Sequence, residues 1–435
     1  MKYRWTYITA MTVFTTLTIS FPVAAQNHPG KSENHVRYIV KDLGTLGGTQ
    51  GTAEGVSDRG WVVGSANLAG NQSGHAFLWR DGKMMDLGTL GGVNSQEQWP
   101  VKDNRGLIVG TSEISQKDPN GENFCTFDGN SGVPPTGLIC LGFIWRDGEM
   151  KPLSPIGGNN SYAAGVNNRG QAVGWAENST QDTACNPPQV LDFEAVIWGP
   201  RRDQIQQLPP LSGDTVSAAS GINDRGQVIG CSGLCSDLTS HGVLWHDGTI
   251  TDLGNLGGVL NTIPWAINSH GYVVGQSDLV GDSTLHAFIW TKDDGMQDIG
   301  TLPGDSASAA FGTNERDQVV GGSCVDATFN QCRAFLWEDG VMVDVNSLVP
   351  KGSTPLYLFF GNDINDGGEI AAYAYDLNND QFHAALAVPC DERHGGTKDC
   401  DLGDVAVDEH PKVILPENLR LQLQRWLGPG RFGGR

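Results

Sequence analysis

Apolar positions in this chain fall into short runs separated by Gly, Asn and Asp, without the 3.6-residue spacing of helices, and the same succession of runs returns seven times. Runs of this kind, bounded by turn residues, read as β-strands. Each return opens with small residues and a tight turn. That turn is Ser57-Asp58-Arg59-Gly60 in the first unit, then 103–106, 167–170, 223–226, 268–271, 314–317 and 365–368. Asn, Asp and Gly suit it because they tolerate reversing backbone. A β-branched run follows, Trp61-Val62-Val63-Gly64 in the first unit and Gln227-Val228-Ile229-Gly230 in the fourth. After a variable connection comes an aromatic run, His75-Ala76-Phe77-Leu78-Trp79, whose Trp recurs as Trp145, Trp198, Trp245, Trp290 and Trp337, with Ala387 in the seventh unit. Asp-Gly at 81–82, 147–148, 247–248 and 339–340 then marks a two-residue hairpin, so the next strand is antiparallel. It leads into Asp42-Leu43-Gly44-Thr45-Leu46-Gly47-Gly48, which returns at 86–92, 152–158, 207–213, 252–258, 298–304 and, degraded, at 344–350.

Four short antiparallel strands at intervals of 44 to 66 residues are the pattern of a propeller blade. The strands are apolar on both sides, as required where blades stack face to face. The fold expected is therefore all-β: a seven-bladed β-propeller of four-stranded antiparallel blades spanning residues 36–390. Seven outer-strand segments, beginning with Tyr38-Ile39-Val40-Lys41-Asp42, match seven three-strand sets ending at 382–388. The N-terminal strand is thus expected to complete the last blade and close the ring, leaving no open edge.

Composition then narrows the setting. Acidic residues outnumber basic ones by 49 to 28, a formal net charge of −21, which argues against nucleic acid as a partner because phosphate binding needs clustered Lys and Arg. Residues 1–25 read as a signal peptide: Lys2 and Arg4, an apolar run from Trp5 to Phe21, and small residues at Val23 and Ala25. A linker of 26–35 precedes the repeats, and no later stretch is apolar enough to span a bilayer. Export, to the periplasm or beyond the cell, turns the nine cysteines into disulfide candidates. Proximity in sequence suggests Cys125 with Cys140, Cys231 with Cys235, Cys324 with Cys332 and Cys390 with Cys400, leaving Cys185 over.

His75-Ala76-Phe77 and His286-Ala287-Phe288, with the Asp-Leu-Gly-Thr-Leu-Gly-Gly segments, resemble the HAF family of bacterial extracellular repeat proteins over roughly residues 36 to 390. The resemblance implies secretion and a propeller-like architecture and brings no catalytic residues. Leu141, Glu194 and Ala387 depart from the pattern.

No catalytic, cofactor or metal residues are assigned. His75, His241, His286 and His383 share one repeat position, and blades rotated about an axis cannot bring them to one ion; each is expected to bond within its blade, for example to Asp86. Recurrent Asp in outer strands reads as scaffold, whereas a glycosidase needs one facing pair. Asp376-Leu377-Asn378-Asn379-Asp380 lacks the Gly and distal Glu of an EF-hand loop. Positions that break the repeat are better candidates: on the innermost strands Glu54, Trp265, Phe311 and Asn362, with Trp99 in the second unit, point to a ligand at the channel mouth. Long connections in the second unit (111–142) and the third emerge on one face, where a binding surface is expected. Residues 391–435 form a tail with a short amphipathic helix at 416–427. From His410 onward it is basic, suiting a protein or cell-envelope contact. The function expected is non-catalytic binding of a glycan or protein. The alternative is a secreted carbohydrate-active hydrolase or lyase with its site at the channel mouth.

Overall fold

The computed structural model describes residues 36–97, 105–122, 136–185, 187–201, 204–235, 240–329, 331–390 and Val413. The signal-peptide and linker assignments, Trp99, Cys125, Cys400 and the helix expected at 416–427 lie outside the described residues. Within them the chain is all-β, with one 3-10 turn at Val345–Leu348. No described helix is long and apolar enough to cross a membrane.

β1 (Tyr38–Gly44) precedes the first unit, which consists of β2 (Gly47–Val56), β3 (Val62–Leu68), β4 (Gly74–Arg80) and β5 (Lys83–Asp86), each antiparallel to the next. The same four-strand order recurs along the chain, giving two eight-stranded and three four-stranded sheets. Single parallel bridges, Gln50 with Phe382 and Ser240 with Asn261, join units within the larger sheets. β1 supplies the outermost strand of the last unit: it runs antiparallel to Gln381–Pro389, from Tyr38 opposite Pro389 to Gly44 opposite Ala384.

One glycine position explains how the β-branched run ends in the units that carry it, the last unit having Ala372 there instead. The innermost strands bulge near their ends, as between Ala53 and Gly55 or Pro264 and Ala266. The bulge turns a carbonyl toward the neighbouring strand. At Gly64, Gly174, Gly230, Gly275 and Gly321 a Cβ would overlap that oxygen, carried by Thr52, Tyr162, Ala218, Ile263 and Ala309 respectively. Only a residue without a side chain fits there.

The core lies between units. One cluster joins Val63 and Leu78 of the first, Val109 and Phe143 of the second, and Ala163 of the third. The recurrent Trp docks on the preceding outer segment: Trp198 Nε1 donates to Ser154 O at 3.0 Å and Trp245 Nε1 to Pro209 O at 2.9 Å.

The cysteines depart from the expected pairing. Cys185 bonds Cys235, so it is not left over, and Cys231 is a buried thiol with Sγ 3.7 Å from Thr262 O. Cys231 lies within the strand Val228–Gly233, Cys235 lies in the turn beyond it, and the Cys235 sulfur is committed to Cys185. Cys324 and Cys332 stand opposite each other on paired strands and are bonded, as expected. Cys140 and Cys390 are also disulfide-bonded.

Candidate functional site

Six of the tight turns that end the innermost strands line one cavity, and among the described residues a repeated side chain joins neighbouring turns from the third unit round to the first. Asn223 shows the rule. Its Oδ1 accepts from Arg225 N and Gln227 N of its own turn, while Nδ2 reaches Asn268 O of the next at 2.8 Å. Equivalent bonds run from Asn167 to Asn223 O, Asn268 to Asn314 O, Asn314 to Asn365 O, and Asn365 back to Ser57 O. The turn formers legible in the sequence are therefore also clasps between units. Lateral convergence is what gives them that second role, and nothing local in the sequence announces it.

A second tier lies at the next position of each turn. Asn168 N and Nδ2 donate to Asp224, Ser269 N to Glu315, Glu315 N to Asp366, and Asp366 N to Asp58. Asp58, Asp224, Glu315 and Asp366 thus rim a cavity of about 280 Å³ whose wall includes Val56, Ile222, Ile267 and Ile364. No basic side chain is among its described lining residues. Its chemistry is that of hydrogen-bond acceptors above an apolar floor, suited to donors or cations rather than anions.

The sequence-predicted ligand residues stand elsewhere. Glu54, Trp265, Phe311 and Asn362 are all buried, and none lines that cavity. Trp265 and Phe311 meet edge to face at 6.1 Å, and Phe311 meets Phe360 at 5.6 Å. This pairing belongs to an aromatic cluster together with Phe359, Tyr373 and Phe382, although Trp265 stands only two positions before Ile267 and Phe311 three before Asn314, both of which line the cavity. Asn362 Nδ2 donates to Ala53 O at 2.8 Å, joining the seventh unit to the first, and Thr52 Oγ1 donates to Glu54 Oε1. Burial and the Glu54 charge push the Tyr373 phenol well above its usual range.

The long connections of the second to fourth units interlock with one another. Lys117 pairs with Leu138, so strands of the second unit extend further than expected and the connection shrinks to 118–137. Glu122 Oε1 accepts from Val190 N and Leu191 N of the third unit at 2.7 and 2.8 Å. Asn160 Nδ2 reaches both Asp118 and Glu177. Burial, then the Glu122 charge, raise Glu177 to about 7. The Cys185–Cys235 disulfide ties the connection of the third unit to that of the fourth. Asp182 and Asp192 lie beside it, making the described group with metal-ligand spacing, but both of its sulfurs are committed to the disulfide.

The recurrent histidines bond as expected, to outer-strand carboxylates: His75 to Asp86 at 2.8 Å, His286 to Asp298 at 2.9 Å and His383 to Asp42 at 3.0 Å. His241 uses Asp214 instead. Arg333, at the equivalent place, pairs with Asp305. In the 376–380 loop Asp376 caps Asn378 N and Asp380 accepts from Tyr375, so its carboxylates serve the turn itself.

No protein-family model matches the chain, and no curated protein matches it in sequence. Among solved structures it is similar to the Pyrococcus horikoshii acylaminoacyl peptidase, at 11% identity over 79% of this chain and 53% of that one, TM-score 0.45. The chain thus spans about half the length of that peptidase. It is also similar to the RRP9 WD40 repeats, at 11% identity over 82% and 99% of the two chains, TM-score 0.44. The β-propeller domain of the Trilobed protease from Pyrococcus furiosus shows 10% identity over 68% and 84%, TM-score 0.41.

Proposed function

We propose that this chain is an exported seven-bladed β-propeller, closed by β1, that works by binding a glycan or a protein rather than by catalysis. Support for the ring comes from the turn-to-turn bonds returning from Asn365 to Ser57 and from β1 completing the last unit. Disulfides at Cys185–Cys235 and Cys324–Cys332 support export. The HAF-type repeats resemble extracellular proteins and lead to the same setting. The observation that carries the binding role is the bracing of connections from three consecutive units into one surface, through Glu122 and the Cys185–Cys235 bond. Long connections held on a rigid scaffold form recognition surfaces.

The test is thermal unfolding of residues 26–435 against glycans, peptidoglycan fragments and candidate envelope proteins. A ligand at a hundredfold excess over its dissociation constant stabilises the native state by about 2.7 kcal/mol. A saturable midpoint shift that is lost when 118–122 is replaced by a Gly-Ser turn supports the reading. No shift with any compound refutes a small-ligand site. Turnover of a shifting glycan establishes the hydrolase or lyase alternative instead.

A further inference from the structure

Val413 is the described residue of the C-terminal segment, and it is buried, at 7% exposure. It lies 24 positions beyond Pro389, the last residue paired in a strand, so nothing local buries it. It packs in the aromatic cluster of Trp265, Phe311, Phe359, Phe360 and Tyr357, contributed by the innermost strands of the fifth to seventh units. Large aromatic side chains are unusual at this level of the repeat. The equivalent residues of the third and fourth units are Ala164 and Ser220. A one-sided aromatic wall at the axis, holding an apolar side chain from a distant segment, has the make-up of a peptide-recognition pocket with its anchor in place.

We propose that this aromatic cluster is a binding site for a branched aliphatic side chain on an extended polypeptide, and that the chain's own segment around Val413 is its resident occupant. The inference rests on the reading of the chain as a binding module and names the ligand class of one end of it. The resident has the sequence His410-Pro411-Lys412-Val413-Ile414-Leu415-Pro416, apolar with a basic neighbour, on a chain of net charge −21. In that sequence Pro411 and Pro416 disfavour helix formation. A partner of the same chemistry binds by displacing it, so the affinity seen by the partner is lowered by the fraction of time the resident is docked.

The test places a thiol on the resident in the otherwise intact chain, Val413→Cys, and measures maleimide labelling under native conditions. Val280→Cys, at an 82% exposed position, is the control. Val413→Cys should label at least 100-fold more slowly than the control. A synthetic peptide of residues 408–419 in excess should raise its rate at least 10-fold, and the same peptide carrying Val413→Asp should not. Labelling as fast as the control, or a rate indifferent to the peptide, overturns the proposal. If the cysteine variant misfolds, full-length Val413→Asp replaces it and should bind the fluorescent peptide at least 10-fold more tightly than the unaltered chain does; equal affinities overturn the proposal. A glycan that shifts the unfolding midpoint while Val413→Cys stays unprotected leaves the binding role standing and refutes this site alone.

Discussion

Asn314 offers the sharpest test of the turn-to-turn clasps. It is 2% exposed, and its carboxamide makes four bonds: Nδ2 to Gln318 Oε1 at 2.8 Å and to Asn365 O at 2.9 Å, and Oδ1 from Arg316 N at 3.0 Å and Gln318 N at 3.1 Å. The Asn365 carbonyl also accepts from Gly368 N, so losing the clasp does not orphan it. The clasp bond is then worth its net value of about 1 kcal/mol, whereas the buried Gln318 N would lose its acceptor. Bonds of one side chain are not additive, which puts Asn314→Ala at about 3 kcal/mol. Asn314→Ser isolates the clasp, because Ser57 fills the same position in the first unit and caps its turn through Trp61 N at 3.3 Å. It should cost about 1.5 kcal/mol, the share of the lost donor bonds. For a repeat region of residues 36–390, ~2.1 cal/mol/K per residue makes 3 kcal/mol equivalent to about 4 °C in Tm. Urea unfolding followed by Trp fluorescence, with calorimetry beside it, reads both quantities. If Asn314→Ala stays within about 0.5 kcal/mol of the unaltered protein, or Asn314→Ser costs nothing, the clasps do not hold the units together.

Gly275→Ala should cost more than about 2 kcal/mol, because its Cβ meets the Ile263 carbonyl and the Phe288 ring, whereas Gly248→Ala, at φ +75° in open space, should cost about 1 kcal/mol in calorimetry. Removing Cys185–Cys235, which closes 50 residues, should destabilise by about 4 kcal/mol, and removing Cys324–Cys332, which closes 8, by about 2.5 kcal/mol; equal losses contradict the chain-entropy account. A non-reduced digest should yield the peptide linking Cys185 to Cys235. Glu177 holds its proton longer in the folded state, with a pKa of about 7 against 4.5, so its contribution to stability is complete below pH 4.5 and lost as pH rises through 7. Glu177→Gln should abolish a decline on the order of 3 kcal/mol over that window, and an unchanged pH profile would sink the assignment. Asp192 and Asp278, both raised to about 6, act in the same direction and leave a smaller residual slope.

Much of the scaffold was written locally and so was legible. Turn residues, β-branched runs and the Trp-ended strands specify elements through neighbours one to four positions away. Their repetition specifies the strand order and the role of Tyr38–Gly44 beside Gln381–Pro389. The His–Asp pairs were readable for the same reason, since His75 and Asp86 sit on adjacent strands of one hairpin. Three features were not legible. Cys185 finds Cys235 rather than leaving it to Cys231, Asn365 reaches Ser57, and Glu122 caps Val190 and Leu191, each across a boundary between units. Glu54, Trp265, Phe311 and Asn362 stood out because they break the repeat, yet their burial depends on what the neighbouring units and Val413 place against them. Sequence alone determined what each unit is. Only the tertiary structure decided what the units do to one another, because contacts between units join residues that no periodicity along the chain relates.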